Sequence, residues 1–347
     1  MLNLINIYSL TLDELTNQAL ALGLKKHNAK QIFQWIYQKQ ITNFKEITNI
    51  AKSAIPILQQ YFSINQWSIK QINIDPLDQT TKFLFELDDH EKIETVLMKF
   101  NYGYSLCISS QVGCNMGCKF CASGLLKKVR DLSATEMVMQ YVMVSKYLFT
   151  KYQQKISNLV IMGIGEPFDN FNNLVKAISI FNQPFGINLG MRHMTVSTCG
   201  LAKRILDFAK IYPQVNLAIS LHAPNDSLRS KLMPINKAFG LKELINTVKK
   251  YIKLTNRRIS FEYILLNQIN DQDVHAQELA KLLSGLLCYV NLIIYNKVRE
   301  CQFVPSNRIN MFSTKLTQLK IANTKRLERG ASILAACGQL RAHHEKK

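Results

Sequence analysis

Apolar residues in the first part of the chain recur every three or four positions, which is the spacing of an amphipathic helix. This pattern extends over residues 11–62. Because it places apolar side chains on one face of each helix, it predicts a small bundle of short helices. Two alternating segments, 82–87 and 93–100, then flank a polar stretch as the strands of a β-hairpin do. We therefore expect an N-terminal helical accessory domain with a hairpin over residues 1–95.

The remainder of the chain, residues 96–347, alternates short apolar segments with longer segments of helical period. The six segments that resemble buried strands are 105–109, 159–162, 194–197, 215–220, 260–265 and 290–295. The four clearest helical segments are 134–149, 172–181, 241–254 and 276–287. Such alternation predicts a parallel sheet with crossover helices. The expected fold class is α/β, a partial (β/α)6 barrel similar to a TIM barrel, with functional loops at the carboxyl ends of the strands.

Basic residues outnumber acidic ones by 43 to 24, which gives a formal net charge of +19. They occur in small clusters along the whole chain, for example at residues 25–26, 127–130 and 257–258. This distribution favours a polyanionic partner such as RNA, DNA or an anionic membrane, and a solubilising surface charge is the alternative. We expect a nucleic acid, with the accessory domain contributing to its binding.

The hydrophobic content of 47% is typical of a globular protein with a packed core. The first twelve residues carry no basic stretch followed by an apolar segment, and no later run is apolar enough to cross a bilayer. The expected location is therefore the cytoplasm, without membrane contact. In that compartment eight cysteines indicate metal or redox chemistry rather than a disulfide scaffold.

Three of the cysteines, Cys114, Cys118 and Cys121, follow the predicted strand at 105–109 with three and two residues between them. Three thiolates at this spacing can hold three irons of a [4Fe-4S] cluster and leave the fourth iron open. A zinc site would need a fourth ligand, and the next cysteine or histidine is distant, at His193. Three unliganded buried cysteines are the remaining alternative. The spacing favours the cluster.

Polar residues follow four of the predicted strands. They are Glu166, which follows Gly165, then Ser197, then Ser220 and His222 on either side of Leu221, and finally Asn296. A single serine or histidine at a strand end is usually a satisfied hydrogen-bonding residue. Four such positions at one predicted edge of a barrel indicate a ligand site.

The cysteine loop after the first barrel strand resembles the shared motif of the radical S-adenosylmethionine (SAM) superfamily. That resemblance implies a barrel of the radical SAM type, in which the open iron chelates the amino and carboxylate groups of SAM. Electron transfer from the reduced cluster then yields a 5'-deoxyadenosyl radical. It also implies a set of SAM-binding residues, which is Gly165, Glu166, Ser197, Ser220, Leu221, His222 and Asn296.

Longer stretches narrow the resemblance to the dual-specificity RNA adenine-C2 methyltransferases, which act on 23S ribosomal RNA and transfer RNA. The matching stretches are residues 31–37, 94–97, 190–198, 220–225, 232–236, 261–263 and 336–340. The resemblance implies that Cys337 receives a methyl group from one SAM, and that a radical made from a second SAM then activates this S-methyl group for addition to adenine.

The same resemblance implies two further roles. Glu94 would remove the C2 proton, and Cys107 would attack the Cys337 sulfur and release the product as a transient disulfide forms. Without the family pattern, Glu94 would be interpreted as a paired carboxylate and each cysteine as a small buried hydrophobe. The partners implied are 23S ribosomal RNA, transfer RNA and an electron donor such as flavodoxin or ferredoxin, and we expect a monomer.

One departure from the family pattern stands near the C-terminus. Residues 331–334 lack the acidic side chains that family members usually carry before the cysteine, which puts the docking of this segment in question.

Two other functions are also considered. One is a C8-specific ribosomal RNA adenine methyltransferase of the antibiotic-resistance branch, and the other is a non-enzymatic iron-sulfur or zinc RNA-binding protein. The second would have no use for Gly165, Glu166 or Cys337.

Overall fold

The computed structural model describes residues 4–65 and 67–340. The outer limits of the two expected domains, residues 1–3 and 341–347, lie outside the described residues. The helices are α1 Leu12–Ala21, α2 Lys26–Tyr37, α3 Ala54–Tyr61, α4 Ala134–Tyr152, α5 Phe171–Asn182, α6 Ala202–Ile211, α7 Asp226–Leu232, α8 Leu241–Thr255, α9 Asp273–Leu283 and α10 Ile309–Gln318. None of these described helices is long and apolar enough to cross a membrane.

The strands fall into one large sheet and two short pairs. They are β1 Ile5–Asn6, β2 Phe62–Ser63, β3 Ile69–Ile74, β4 Thr81–Glu86, β5 Lys92–Phe100, β6 Gly103–Ile108, β7 Gln111–Val112, β8 Arg130–Asp131, β9 Ile156–Ile161, β10 Met194–Thr198, β11 Asn216–Ser220, β12 Ile259–Leu265, β13 Cys288–Ile294 and β14 Asn323–Lys325.

Ten strands form the large sheet, in the order β14-β13-β12-β11-β10-β9-β6-β5-β4-β3. Pairing is parallel from β6 to β14 and antiparallel among β3, β4, β5 and β6. The inner strand β12 is buried along its whole length, as expected for a parallel strand covered on both faces. In the described residues β14 and β3 do not pair with each other, so the barrel is open. The expected α/β partial barrel is confirmed.

The N-terminal helices begin and pack as the sequence pattern predicts. The Thr11 hydroxyl accepts the Glu14 backbone N–H at 3.2 Å, and the Glu14 carboxylate accepts the Thr11 N–H at 2.7 Å, which caps α1. Apolar residues on the inner faces, such as Leu15, Ile32 and Leu58, are fully buried and join the same core as α4. The accessory helices are therefore packed on the barrel.

The predicted strands and helices of the barrel recur within a few residues of their expected positions. The helix expected at 276–287 is α9, which begins earlier and ends at Leu283, before Gly285 with its positive φ of 75°. Strand β5 runs continuously through residue 95, the expected domain boundary. It pairs with β4, which precedes this residue in the chain, and with β6, which follows it. The two expected domains thus share one sheet, and the division at residue 95 stays a prediction.

Candidate active site

A cleft of about 940 Å³, counted with its opening to solvent, lies at the carboxyl edge of the parallel strands. Eight of the residues singled out from the sequence for a cluster or for SAM line it: Cys114, Cys118, Cys121, Gly165, Glu166, Ser197, Ser220 and His222. Their loops follow different strands of one parallel sheet, whose carboxyl ends meet at one edge. We call this space the first cavity.

The cysteine loop leaves β7 and folds back on itself. Gly113 has a φ of 75°, and a side chain there would collide with the Lys127 carbonyl. Within the loop the Cys121 N–H donates to the Cys118 carbonyl at 3.2 Å, and the Gly124 N–H donates to the Cys121 carbonyl at 3.0 Å. These turns bring the three thiols to one wall of the cavity. Burial raises the pKa of the Cys114 thiol to about 12.

The donor chemistry of this loop fits an iron-sulfur cluster. All three thiols are free of disulfide bonds. Within residues 4–65 and 67–340, no three Cys, His, Asp or Glu side chains converge as ligands of one metal ion. A cubane does not require such convergence, because each thiolate binds a different iron. Thiols that burial keeps neutral would ionise on binding the metal, since the metal supplies the positive charge that the site otherwise lacks.

The loop after β9 is fixed by its glycine and its carboxylate. Gly165 has a φ of 107°, and a Cβ there would lie 2.6 Å from the Cβ of Gln111. The Glu166 carboxylate accepts the Phe168 N–H at 3.0 Å and the Cys199 N–H at 2.7 Å, so it joins this loop to the end of β10. Burial raises the pKa of Glu166. A carboxylate has about four acceptor positions, and an ammonium group can therefore still be bound.

Ser197 and Ser220 end neighbouring strands, and their hydroxyl oxygens lie 3.5 Å apart. His222 follows with a φ of 57°, and its Nδ1 accepts the Ile264 N–H at 3.1 Å. The neutral ring therefore carries its proton on Nε2, which is the tautomer that can donate into the cavity. Leu221 is fully buried and contributes its backbone to the loop rather than a side chain to the cavity lining.

His222 leads to a prediction about acid stability. Burial, with a smaller effect of Arg229, lowers the pKa of its imidazole from 6.5 to about 3. Between these values only the unfolded chain binds the proton, so the free energy of unfolding should fall as the pH falls below 6.5, by up to ~1.4 kcal/mol per pH unit. Urea unfolding at several pH values between 7 and 4 would measure this slope. We expect a shallower slope for His222→Asn, and equal slopes would contradict the assignment.

Arg229 on α7 organises this edge of the sheet, and the sequence analysis did not single it out. Its side chain is fully buried. Its guanidinium donates to the carbonyls of Cys199 at 2.7 Å, Ser220 at 3.0 Å and Leu221 at 3.1 Å. A further bond at 2.8 Å reaches the Asn236 side chain. One cation thus holds the ends of β10 and β11 in the positions that line the first cavity.

A second cavity adjoins the first and shares several lining residues with it, Cys337 among them. It is lined by Cys107, Asn296 and Arg326, and Cys337 borders both cavities. The Asn296 amide donates to the Cys337 carbonyl at 3.5 Å, and its Oδ1 is buried without a hydrogen-bond partner among the described residues. This acceptor is available to a ligand that carries N–H groups. Asn296 therefore lies beside Cys337 and not on the wall of the first cavity.

The segment that carries Cys337 is held at both ends. Towards its N-terminal end, the Ser332 hydroxyl donates to Asp75 at 2.7 Å and the Gly330 N–H donates to Asp78 at 2.9 Å. Beyond the cysteine, the Gly338 carbonyl accepts the Ala122 N–H of the cysteine loop at 2.7 Å. Hydrogen bonds from a serine and a backbone amide to two aspartates of the β3–β4 turn thus dock the segment without acidic residues of its own.

Cys107 and Glu94 lie beneath this segment on neighbouring strands. Cys107 is buried, and its pKa is raised to about 12, chiefly by desolvation and also by nearby Cys337. Glu94 pairs with Lys82 at 2.9 Å, and the Lys82 ammonium also donates to the Leu334 carbonyl at 3.2 Å. Glu94 does not line either cavity, because this lysine and the docked segment cover it.

Arg326 is a second residue that the sequence analysis missed. It lines both cavities and lies 3.9 Å from the Glu262 carboxylate. The charge of a Cys337 thiolate is the largest cause that raises the pKa of Arg326, so the two groups are close. In the sequence, Arg326 and Arg329 form a basic pair just before Gly330, and this pair was the signal that could have pointed to a functional role of Arg326.

Comparisons with known proteins agree with this arrangement. A profile of the Radical SAM superfamily matches residues 108–280, and one of the ribosomal RNA large subunit methyltransferase N-terminal domain matches residues 5–64. A protein of Spiroplasma citri described as a probable dual-specificity RNA methyltransferase RlmN is 52% identical over 98% of both chains. A protein of Malacoplasma penetrans with the same description is 49% identical, over 97% of this chain and 96% of its own.

One solved structure is similar over almost the whole chain. The crystal structure of a radical SAM methyltransferase from Sphaerobacter thermophilus matches with a TM-score of 0.93 and 40% sequence identity. The match covers 98% of this chain and 100% of that one. The fold and the order of the site loops therefore agree with those of a methyltransferase of this superfamily.

Proposed function

This chain belongs to the RlmN family of dual-specificity RNA methyltransferases, and we propose that it methylates the C2 atom of adenine in 23S ribosomal RNA and in transfer RNA. The observation that carries the proposal is the position of Cys337, which lines both the cavity of the cluster and cofactor residues and the adjoining second cavity. A thiol at that boundary can receive a methyl group from one side and deliver it to a base on the other.

Membership of the Radical SAM superfamily implies a [4Fe-4S] cluster and SAM. In this chain Cys114, Cys118 and Cys121 would hold the cluster. The SAM ligands would be Gly165, Glu166, Ser197, Ser220, Leu221, His222 and Asn296, with Leu221 contributing through its backbone. When bound, these groups supply a methyl group and, from a second SAM, a radical that can remove hydrogen from an S-methyl group.

The residues around Cys337 have separate tasks. Arg326 lies beside Cys337, whose sulfur would accept the methyl group, and both residues line the two cavities. An electron-poor carbon such as adenine C2 does not attack a sulfonium, so a carbon radical carried on the Cys337 sulfur is needed for addition to the ring. Glu94, whose carboxylate pairs with the Lys82 ammonium at 2.9 Å, would then take the proton from C2.

Cys107 would end the reaction. As a thiolate it would attack the Cys337 sulfur once the electron left by the radical addition has passed to the electron carrier. A disulfide between the two cysteines would form while the bond from sulfur to the methylene carbon on the base breaks, and this carbon would take up a proton to become the methyl group. Both side chains line the second cavity, which supports this pairing. Burial raises the pKa of Cys107 and keeps its thiol protonated at neutral pH, so it reacts only after losing its proton. An electron donor such as flavodoxin or ferredoxin would reduce the cluster.

Nucleoside mass spectrometry tests the proposed function directly. Reconstituted protein would be incubated anaerobically with reductant, SAM and either 23S ribosomal RNA or transfer RNA. We expect 2-methyladenosine in both RNAs. Formation of 8-methyladenosine would place the protein in the resistance branch instead. Cofactor cleavage without any methylated adenosine would refute the assignment of the substrate.

Removal of the resolving thiol should trap the enzyme on its RNA. In Cys107→Ala, adenine can still be joined to Cys337, but no thiol remains to release it. We expect RNA covalently attached to the protein, detectable as a slower band on a denaturing gel, and yields of free product at least about 100-fold below those of the wild type. Cys301→Ala, a cysteine that lines neither cavity, is the matched control. Normal release of 2-methyladenosine by Cys107→Ala would remove Cys107 from the mechanism.

A further inference from the structure

Two aromatic rings stand at the rim of the second cavity. Phe100 ends β5, and Tyr102 lies in the two-residue turn that connects β5 to β6. The ring centroids are 5.0 Å apart and the ring planes differ by 6°, so the rings are stacked in parallel. Tyr102 is 64% exposed. A large aromatic surface therefore faces solvent at the entrance to the space beside Cys337.

The sheet fixes this aromatic pair in place. Phe100 is paired with Gly103, and the ladder between β5 and β6 continues from there through Met98 and Ser105 to Val96 and Cys107. Gly103 has a φ of 124°, a conformation that L side chains rarely adopt, and a side chain there would collide with Ser157. The turn is thus held against β9, and Tyr102 has a fixed position relative to Cys107 on the same hairpin.

A cation with an unused donor lies next to the rings. The guanidinium carbon of Arg329 is 5.2 Å from the centroid of the Phe100 ring, and Arg329 lines the same cavity. Its Nε is buried and has no hydrogen-bond partner among the described residues. A buried, unpaired donor is costly unless a ligand completes it. Lys325, Arg326 and Glu328 line the same cavity, so with Arg329 this rim carries three basic side chains and one acidic one and is positive on balance.

An aromatic face beside unpaired positive charge fits one class of ligand better than others. Nucleic-acid bases stack on aromatic rings whatever their sequence, and their phosphates bind guanidinium groups. A purely structural pair of rings that closes the hairpin would not require Arg329 to keep a buried donor free. An apolar protein partner would not use the positive charge.

We propose that Phe100, Tyr102 and Arg329 form a subsite for a nucleotide adjacent to the adenosine that is methylated. Its base stacks on the exposed ring of Tyr102, and its phosphate accepts from Arg329. This inference rests on the proposed function, because it takes RNA as the substrate. It deepens that function by naming residues that would hold the strand next to the reacting base.

The experiment uses short RNA hairpins in which 2-aminopurine replaces, one at a time, each nucleotide that flanks the target adenosine. The fluorescence of this base analogue falls when it stacks on an aromatic ring. With the full-length reconstituted protein, we expect quenching at one flanking position. Tyr102→Ala should lose the quenching and bind the RNA about 10-fold more weakly, whereas Tyr102→Trp should retain both properties.

Two further variants sharpen the test. Phe149→Ala removes an aromatic residue that is 50% exposed on α4 and lines neither cavity, and it should leave quenching and affinity unchanged. Arg329→Gln should reduce the slope of log Kd against log salt concentration by about 0.7, as expected for the loss of one phosphate contact to a single strand. An unchanged slope would overturn the phosphate contact.

The subsite and the proposed function can fail separately. Quenching and affinity that Tyr102→Ala leaves intact at every flanking position would overturn the subsite. The function is tested on the wild-type protein alone, by S-methylation of Cys337 in the absence of RNA and by formation of 2-methyladenosine. Loss of quenching in Tyr102→Ala together with no methylated adenosine from the wild type would support a nucleotide subsite while refuting the reaction.

Discussion

Replacing Cys337 with alanine is expected to reduce methylation of adenine in both RNAs by at least about three orders of magnitude. Cys337 borders both cavities, and the other two thiols that line the second cavity are those of Cys107, on strand β6, and of Cys121, a proposed cluster ligand. Without Cys337 the methyl group has no carrier that can present it to the electron-poor carbon. Removal of a covalent catalyst usually costs at least this much in rate.

The measurement has two parts. Nucleoside mass spectrometry reports 2-methyladenosine, and intact-protein mass spectrometry after incubation with SAM reports the gain of one methyl group. Both signals should vanish in Cys337→Ala. Cys288→Ala is the matched control, because Cys288 on β13 lines neither cavity, and it should behave as the wild type. Methylation of RNA by Cys337→Ala at the wild-type rate would rule out the carrier role.

Replacing Arg229 with methionine is expected to lower the free energy of unfolding by about 3–5 kcal/mol. The guanidinium satisfies three backbone carbonyls and the side chain of Asn236 in a site that water does not reach. Methionine fills much of the volume but donates no hydrogen bond, so these acceptors would remain buried and unpaired. Burial also lowers the pKa of Arg229, which shows that its charge is held at a desolvation cost.

Urea unfolding would measure this loss. Arg192→Met is the matched control, since the exposed Arg192 guanidinium donates to Gln214 on the surface. That change should alter the free energy of unfolding by less than about 1 kcal/mol. If Arg229→Met unfolded at the same urea concentration as the wild type, the carbonyls at the ends of β10 and β11 would have other partners, and Arg229 would not organise the site.

The carboxyl edge of the parallel strands, which carries the first cavity, was predictable from the sequence. Each buried parallel strand appears there as a short apolar run that ends in polar residues. Ser197 and Ser220 were expected at the ends of apolar runs, and they are the second-last residue of β10 and the last residue of β11. The edge strands β3 and β14 were missed. β3 exposes most of its side chains, and β14 consists of three polar residues, so neither carries a buried apolar face.

Arg229 and the second cavity could not be predicted for a different reason. Arginine is mostly exposed in proteins, and nothing near Arg229 in the sequence signals the carbonyls that it binds on two other loops. The second cavity forms only where the C-terminal segment crosses the hairpin strands. Its lining brings residues from 96–107 and 324–340 together with Cys121, Ser123, Met162, Gly163, Ile293, Ile294 and Asn296, and no local pattern connects these parts of the chain.

The bond that anchors the C-terminal segment joins Asp78 to Gly330, which are 252 positions apart. At a synthesis rate of about 5–20 residues per second, the ribosome makes these two residues on the order of ten to fifty seconds apart. Every strand of the sheet except β14 is complete at least about one second before Gly330 appears. The segment is therefore synthesised after all the strands of the sheet that receive it, and it can dock only when Cys337 has followed them.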